Sequence, residues 1–286
     1  MRVPATSANL GPGFDSLGVA LDWTGRVTVT AVEGTLPEPE HPMERMIVAA
    51  AAALYEVAGE PRPALRAAYE GDMPVGRGLG MSAAARVGGV VAANRLLGDR
   101  VSLEDLLPLA SRLEGHADNA APALLGGLQV VVEDDDTPVH ATIVPPDDLV
   151  LALLIPDFDM PTHESRRRLP DRLTRNQAVH NIGRAALIVA AITQHRYDLL
   201  RVATEDVLHQ PARSTLFPAM YPIFEAARAA GAHGVYLSGG GSTVAAFATT
   251  GAEDVAQAMR EVAAAHGLDA DARVVAMSAK GAEVVA

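Results

Sequence analysis

The most constraining stretch of the chain is Gly71 to Gly80, with four glycines and a proline, which runs straight into Ser82–Leu97 (SAAARVGGVVAANRLL). That run is apolar, rich in Ala, free of proline and closed by Gly98, so it predicts a loop followed by a buried helix. Glycines let a backbone approach a ligand closely, and the first N–H groups of a helix carry partial positive charge. Pro74, Val75, Gly76, Arg77, Gly78, Leu79, Gly80, Met81, Ser82, Ala83 and Ala84 therefore form a candidate phosphate cradle. A tight turn with small-residue packing is the plain alternative. A Walker loop needs Gly-Lys-Ser/Thr, and no lysine stands here; a dinucleotide fingerprint needs Gly where Met81 stands, and an acid after a second strand. Protein-kinase signatures such as His-Arg-Asp and Asp-Phe-Gly are missing. The stretch is a different phosphate loop, or none.

The rest of the composition narrows the classes. At 286 residues the chain can form one large domain or two ordinary ones, and two are expected. The absence of Cys removes disulfides, thiolate nucleophiles and Cys-ligated metals, and suits a reducing cytoplasm. The start, Met1-Arg2-Val3-Pro4-Ala5, has no apolar signal core, and the longest apolar runs fall short of about 18 residues. A cytoplasmic protein without membrane contact is the expectation. Acidic residues outnumber basic ones by 35 to 23, and Lys280 is the only lysine, so no stacking-plus-basic surface for nucleic acid is expected. Any anionic ligand must be held by Arg, metal or backbone amides.

Along the chain, Arg26–Glu33 alternates as a half-buried strand, Gly34–Pro42 reads as a loop and Met43–Ala58 as a helix. Ser102 caps a helical stretch to about Gly115, with Asp105 at capping-box spacing. Leu128–Glu133 is a strand ending in an Asp134-Asp135-Asp136 turn; Thr137–Asp148, rich in Pro and Asp, reads as an exposed connection. Leu149–Ile155 is a buried strand. Further helices are expected at Asn176–Gln194, Val202–Leu208, Pro218–Ala230 and Ala252–His266. Strands at Gly234–Leu237 and Thr243–Thr249 flank a glycine cluster, and Ala272–Ala276 closes the series. No fixed-period repeat appears. Mixed elements in both halves indicate α+β domains, 1–146 and 147–286.

Three further clusters could carry chemistry. Glu114-Gly-His116-Ala-Asp118-Asn119-Ala-Ala-Pro122 crowds polar groups between an apolar helix and an apolar strand, where a core would require partners. It is either a helix end with capping side chains or a Mg²⁺ carboxylate, Glu114, beside substrate-contacting groups. Pro4-Ala-Thr-Ser-Ala-Asn9-Leu-Gly-Pro-Gly-Phe14-Asp15 reads as a turn presenting hydrogen-bonding side chains, with Phe14, Leu17 and Val19 arguing that it is packed. Leu237–Thr243 is a glycine loop between two strands, alone a hairpin or linker. Arg166, Arg167 and Arg168 would ordinarily be a solvated run.

Taken together and in this order, the clusters resemble the GHMP small-molecule kinase superfamily and, within it, the homoserine kinases. The opening Pro4–Asp15 motif, the Pro74–Ala84 loop, Glu114–Pro122, Thr162-His-Glu-Ser-Arg166 with Leu169-Pro170, and Ser238–Thr243 carry the resemblance, which spans essentially the whole chain. It implies an N-terminal ribosomal-protein-S5-like α+β domain and a C-terminal ferredoxin-like domain. It further implies phosphorylation of the L-homoserine side-chain hydroxyl by ATP with Mg²⁺, a step toward threonine, and a possible homodimer. By position, the loop backbone would wrap the triphosphate, and Ser82 and Glu114 would hold the metal. Asp118 and Arg166 are carried over as catalytic residues. Asn9, Asp15, His116, Asn119, Thr162 and Arg213 are carried over as substrate contacts, with Arg166 or Arg213 able to grip a carboxylate bidentately and Asp15 an ammonium. Asp118 could take the hydroxyl proton or only orient it. Three departures stand out: Met81 where the family has a serine, Gly-Gly-Gly-Ser in place of Gly-Ser-Gly-Pro at 239–242, and no asparagine just before Met46. Two other outcomes are a GHMP kinase for another small alcohol and a catalytically weakened nucleotide-binding homologue.

Overall fold

The computed structural model describes residues 1–135 and 137–285; Asp136 of the expected aspartate turn, and the side chain of Thr162, lie outside the described set. The first half is built on a five-stranded antiparallel sheet. Its strands are β1 (Arg2–Ala8), β2 (Leu17–Val32), β3 (Ala64–Glu70), β4 (Leu128–Asp134) and β5 (Thr137–Ile143), ordered β1-β2-β4-β5 with β3 also on β2. The long β2 is the spine: β1 pairs its first half, β3 its second, in register from Arg26↔Glu70 to Val32↔Ala64. Buried and exposed residues alternate from Leu21 to Thr28, so the alternation expected over Arg26–Glu33 is sharp only in its first three residues, and the strand begins nine residues earlier than expected, at Leu17.

Four helices complete this half: α1 (Pro42–Ala58), α2 (Met81–Leu96), α3 (Leu103–Glu114) and α4 (Ala117–Leu125). Helix α2 is buried almost all round, which its Ala and Gly content allows by keeping it slim. Ser102 caps α3 by accepting from the Asp105 N–H at 3.2 Å.

The second half carries β6 (Val150–Pro156), α5 (Thr162–Arg167), α6 (Arg175–Thr193), α7 (Leu200–Ala203), α8 (Gln210–Arg213) and α9 (Met220–Ala229). It ends with β7 (Gly234–Leu237), β8 (Val244–Ala248), α10 (Ala252–Ala265) and β9 (Ala270–Ala276). Strands order β7-β8-β6-β9, all antiparallel, and α9 and α10 pack on one face, the ferredoxin-like arrangement. The opposite face, with Leu151, Leu153, Tyr236 and Phe247, joins the core of the first half and the buried side of α6. Strands β6, β7 and β8 are thus covered on both faces, which is why they read as unbroken apolar runs. After β9 the chain returns to the first sheet, bridging Leu21↔Met277 and Arg2↔Glu283.

Three sequence expectations are corrected. Thr137–Ile143 is a strand, not a connection; it lies at the sheet edge, where Pro138 does not break a ladder needed on both sides. The opening motif is a turn only from Asn9 onward, because Arg2–Ala8 pairs with β2. The helix expected over Val202–Leu208 stops at Ala203, since the Asp206 carboxylate accepts the N–H groups of Leu208, His209 and Gln210 and starts a new turn there. Among the described residues, no helix is long and apolar enough to cross a membrane.

Candidate active site

A cleft of about 240 Å³ opens where the glycine loop, the β1–β2 turn, α5 and the β7–β8 loop converge. One wall is the start of α2. Gly80 caps that helix in a left-handed conformation (φ 66°) and offers no side-chain acceptor, so the first-turn N–H groups stay unsatisfied by the protein. A Cβ at Gly80 would collide with Thr6 Oγ1, and one at Gly78 with the Ser238 carbonyl. The loop's carbonyls are drawn backward: Thr243 N–H donates to Arg77 O (3.1 Å), Ser238 Oγ to Gly78 O (2.7 Å) and Thr6 N–H to Leu79 O (3.1 Å). The helix start is therefore open to an anion.

Of the eleven cradle residues, Val75, Gly76 and the run Gly78–Ser82 line the cleft. Ala83 and Ala84 are buried in the core, while Pro74 lines a separate depression behind the loop. Arg77 corrects the expectation most clearly: its guanidinium turns away to Asp157 (2.9 Å) and Asp159. Whatever Arg77 gives to an anion comes from its backbone.

Beyond the helix start, Ser82 Oγ donates to Glu114 Oε1 at 2.5 Å, and Arg86 pairs with Oε2. Glu114 ends α3 and its side chain is only 9% exposed, so the carboxylate is held firmly. Among the described residues no group of three or more His, Cys, Asp or Glu could hold a metal by itself. One hydroxyl and one carboxylate beside an open anion cradle do fit Mg²⁺, which keeps waters and takes the rest of its oxygens from phosphates.

The opposite wall is polar. Asn9 (φ 70°) and Asp15 (φ 56°) hold a tight turn in which Asn9 Oδ1 accepts the Asp15 N–H (3.1 Å) and Asn9 Nδ2 donates to Gly239 O (2.9 Å). Arg166 of α5 grips Asp15 with Nη1 and Nη2 at 3.0 and 2.5 Å. Arg167 and Arg168 are exposed. Arg213, at 1% exposure, donates Nε to Ser165 Oγ and Nη1 to both His209 Nδ1 and Gly239 O. This corrects the simple bidentate picture: Asp15 occupies the end of the Arg166 fork, and Arg213 keeps only Nη2 free of hydrogen bonds among the described residues.

Between the walls, α4 begins with His116 as N-cap and brings Asp118 and Asn119 in its first turn. Asn119 accepts from Thr6 Oγ1 (2.8 Å) and donates to Asp118 Oδ1 (3.2 Å). Burial, with Asp15 nearby, pushes the Asp118 carboxyl up to about 7, against the pull of Arg166. Burial and the Arg166 charge hold the His116 imidazole down, so it is neutral at neutral pH. Burial, with Arg166, lowers Arg213 to about 10, which leaves it charged. Thr162 begins α5 at the cleft's edge in sequence, its side chain outside the described set.

Several site residues have no local signature strong enough to be found first. Arg86 is visible only as a lone charge one turn after Ser82 in an apolar helix. Phe14, read in the sequence only as a packing residue, has two cations over its ring, with Arg166 Cζ 5.1 Å and Arg213 Cζ 5.4 Å from the ring centre. Gly239 contributes a carbonyl, for which sequence holds no mark.

Residues 45–127 match the family model "GHMP kinases N terminal domain", and residues 187–265 match "GHMP kinases C terminal". The chain is 38% identical to a homoserine kinase of Desulfitobacterium hafniense, over 100% of this chain and 99% of that one. It is 40% identical to a homoserine kinase of Moorella thermoacetica, with coverage of 100% and 99%. The crystal structure of homoserine kinase from Cytophaga hutchinsonii superposes with a TM-score of 0.88 at 30% identity, covering 98% of this chain and 95% of that one. With both halves matched and full-length relatives at this identity, the chain belongs to the homoserine kinase family of the GHMP kinases.

Proposed function

We propose that this chain transfers the γ-phosphoryl group of ATP to the side-chain hydroxyl of L-homoserine, yielding O-phospho-L-homoserine and ADP on the route to threonine. ATP is the co-substrate of a GHMP kinase. The observation that carries the substrate choice is one cleft with an open helix start on one wall and both charges of a zwitterion's partners, Asp15 and Arg213, on the other. Another small alcohol such as mevalonate has no ammonium to set against Asp15.

In this reading the N–H groups from Gly78 to Ser82 receive the phosphates, and the Met43, Met46 and Val75 surface takes the purine. Ser82 and Glu114 would hold Mg²⁺, which would neutralise charge on the phosphate oxygens. The substrate ammonium faces Asp15, which Arg166 holds in place, and the substrate carboxylate faces Arg213 Nη2, with Asn9, His116 and Thr162 bounding the site. Asn119 orients Asp118 next to the hydroxyl. The hydroxyl oxygen bonds to the γ-phosphorus as the bond to the β,γ-bridging oxygen breaks. ADP leaves, and the hydroxyl proton passes to Asp118, whose carboxylate is matched to neutral pH. A loose phosphoryl-transfer transition state asks mainly for positioning and charge neutralisation, so no Walker lysine is required.

A cytoplasmic location, division into 1–146 and 147–286, and a homodimer belong to the same proposal; the exposed Val179 (64%) and Ile182 (69%) of α6 are apolar surface that a second copy would cover. Light scattering tests the dimer. Mass spectrometry after incubation with MgATP and L-homoserine tests the reaction: O-phosphohomoserine must form, and ADP release without it contradicts the reading.

A further inference from the structure

We propose that His209 is a positioning residue for the amino-acid end of the site, a neutral imidazole that clamps Arg213 to the turn carrying Phe14 and Asp15. The inference rests on the reading of Arg213 as a carboxylate ligand. The His209 side chain has no exposure, and neither has that of Asp206, three residues earlier. Nε2 of His209 lies 2.6 Å from the Gly11 carbonyl oxygen. A carbonyl can only accept, so Nε2 bears the proton. Nδ1 lies 2.9 Å from Arg213 Nη1, and a guanidinium can only donate, so Nδ1 offers its lone pair. Both contacts are met by a single form of the ring, the neutral Nε2–H tautomer.

The surroundings hold that form in place. The Asp206 carboxylate accepts from Asn181 Nδ2 (2.6 Å) and from the backbone N–H groups of Leu208, His209 and Gln210. Asp206 Oδ2 stays 3.7 Å from Nε2, so it fixes the start of α8 and does not form an Asp–His dyad. Desolvation holds the His209 ring down to about 4, in keeping with a neutral imidazole. The ring also lies 5.4 Å from that of Phe14, the side chain over which both cleft arginines sit.

The consequence for Arg213 is geometric. His209 and Gly239 take both hydrogens of Nη1 and Ser165 takes that of Nε, so the guanidinium cannot swing and presents Nη2 to the cleft. Without an acceptor at position 209, a buried N–H is left unpaired and the guanidinium is free to turn. Homoserine binding should suffer and nucleotide binding should not.

His209→Leu keeps the bulk but can neither donate nor accept. It should raise KM for L-homoserine about tenfold or more, with kcat and KM for ATP changed less than about twofold. His209→Gln carries a donor and an acceptor on one amide and should restore most of the loss. In an Arg213→Ala background, His209→Leu should add almost nothing, because the two act as one unit. An unchanged KM for homoserine, an equal rise for ATP, or full additivity with Arg213→Ala would overturn the proposal. Nitrogen-15 NMR of the histidine rings in the unsubstituted protein supplies a readout that needs no variant to fold: Nε2 must be protonated and Nδ1 bare. A protonated Nδ1 at neutral pH also overturns it. Homoserine turnover by the unsubstituted protein tests the kinase reading separately, since the ring's protonation is measured without turnover.

Discussion

Asp118 is 3% exposed, and removing its carboxylate from water raises its pKa from 3.8 to about 7. The folded protein then holds a proton that the unfolded chain has released between about pH 4 and 7, so the stability it contributes is lost as pH rises through the folded value. Asp118→Asn should stabilise the fold by roughly 2–4 kcal/mol at pH 8 and by almost nothing near pH 4, as read by urea unfolding at both pH values. In activity the sign reverses. For the unsubstituted protein kcat/KM for homoserine should climb through an inflection near pH 7, and Asp118→Asn should flatten that rise. Glu114 makes a different kind of contribution, since its carboxylate is held by the Ser82 hydroxyl and Arg86. Glu114→Ala should lower Mg²⁺-dependent kcat by about a hundredfold or more while homoserine affinity, measured by calorimetry, changes little. An unchanged rate at saturating MgATP removes Glu114 from the metal site.

At the scale of elements, the glycine loop and helix that build one wall of the cleft were legible because their signals are local. Four glycines in ten residues and then a long apolar run without proline leave little choice but a turn and a buried helix. Ser102 and Asp105 announced the start of α3 for the same reason. What was hidden depends on partners far along the chain. Strand β3 (ALRAAYE) has too little alternation to declare itself and exists because β2 extends far enough to pair with it. Strand β5 was masked by Pro138, which an edge position tolerates. Arg77 looked like a phosphate ligand in sequence, yet Asp157 and Asp159, some eighty residues later, draw it away. The loop's shape likewise depends on the second half through Ser238 and Thr243. Gly78→Ala, which would drive a methyl into the Ser238 carbonyl from a left-handed backbone (φ 74°), should raise KM for ATP about tenfold or more, checked by steady-state kinetics. An unchanged KM would mean the loop's carbonyls need not be held back.

For the whole molecule, two sheets share one continuous core, and the site lies where their loops meet. The first half brings the anion cradle, Glu114, Asp118 and Asp15; the second brings Arg166, Arg213 and the backbone of Gly239. Neither half holds a complete site, and the tail after β9 ties back to β1 and β2. The departures at Met81 and Gly240 lie within this frame: both residues line the cleft, and the hydroxyl facing Glu114 is supplied by Ser82. On the function proposed above, this cleft selects a zwitterionic alcohol for phosphorylation. A coupled ADP-release assay of the purified protein with MgATP, comparing L-homoserine with no acceptor, with mevalonate and with a simple sugar, tests it most directly. Turnover with homoserine should lie well above all three. Equal rates with homoserine and mevalonate, or no acceptor-dependent ADP release, would contradict it.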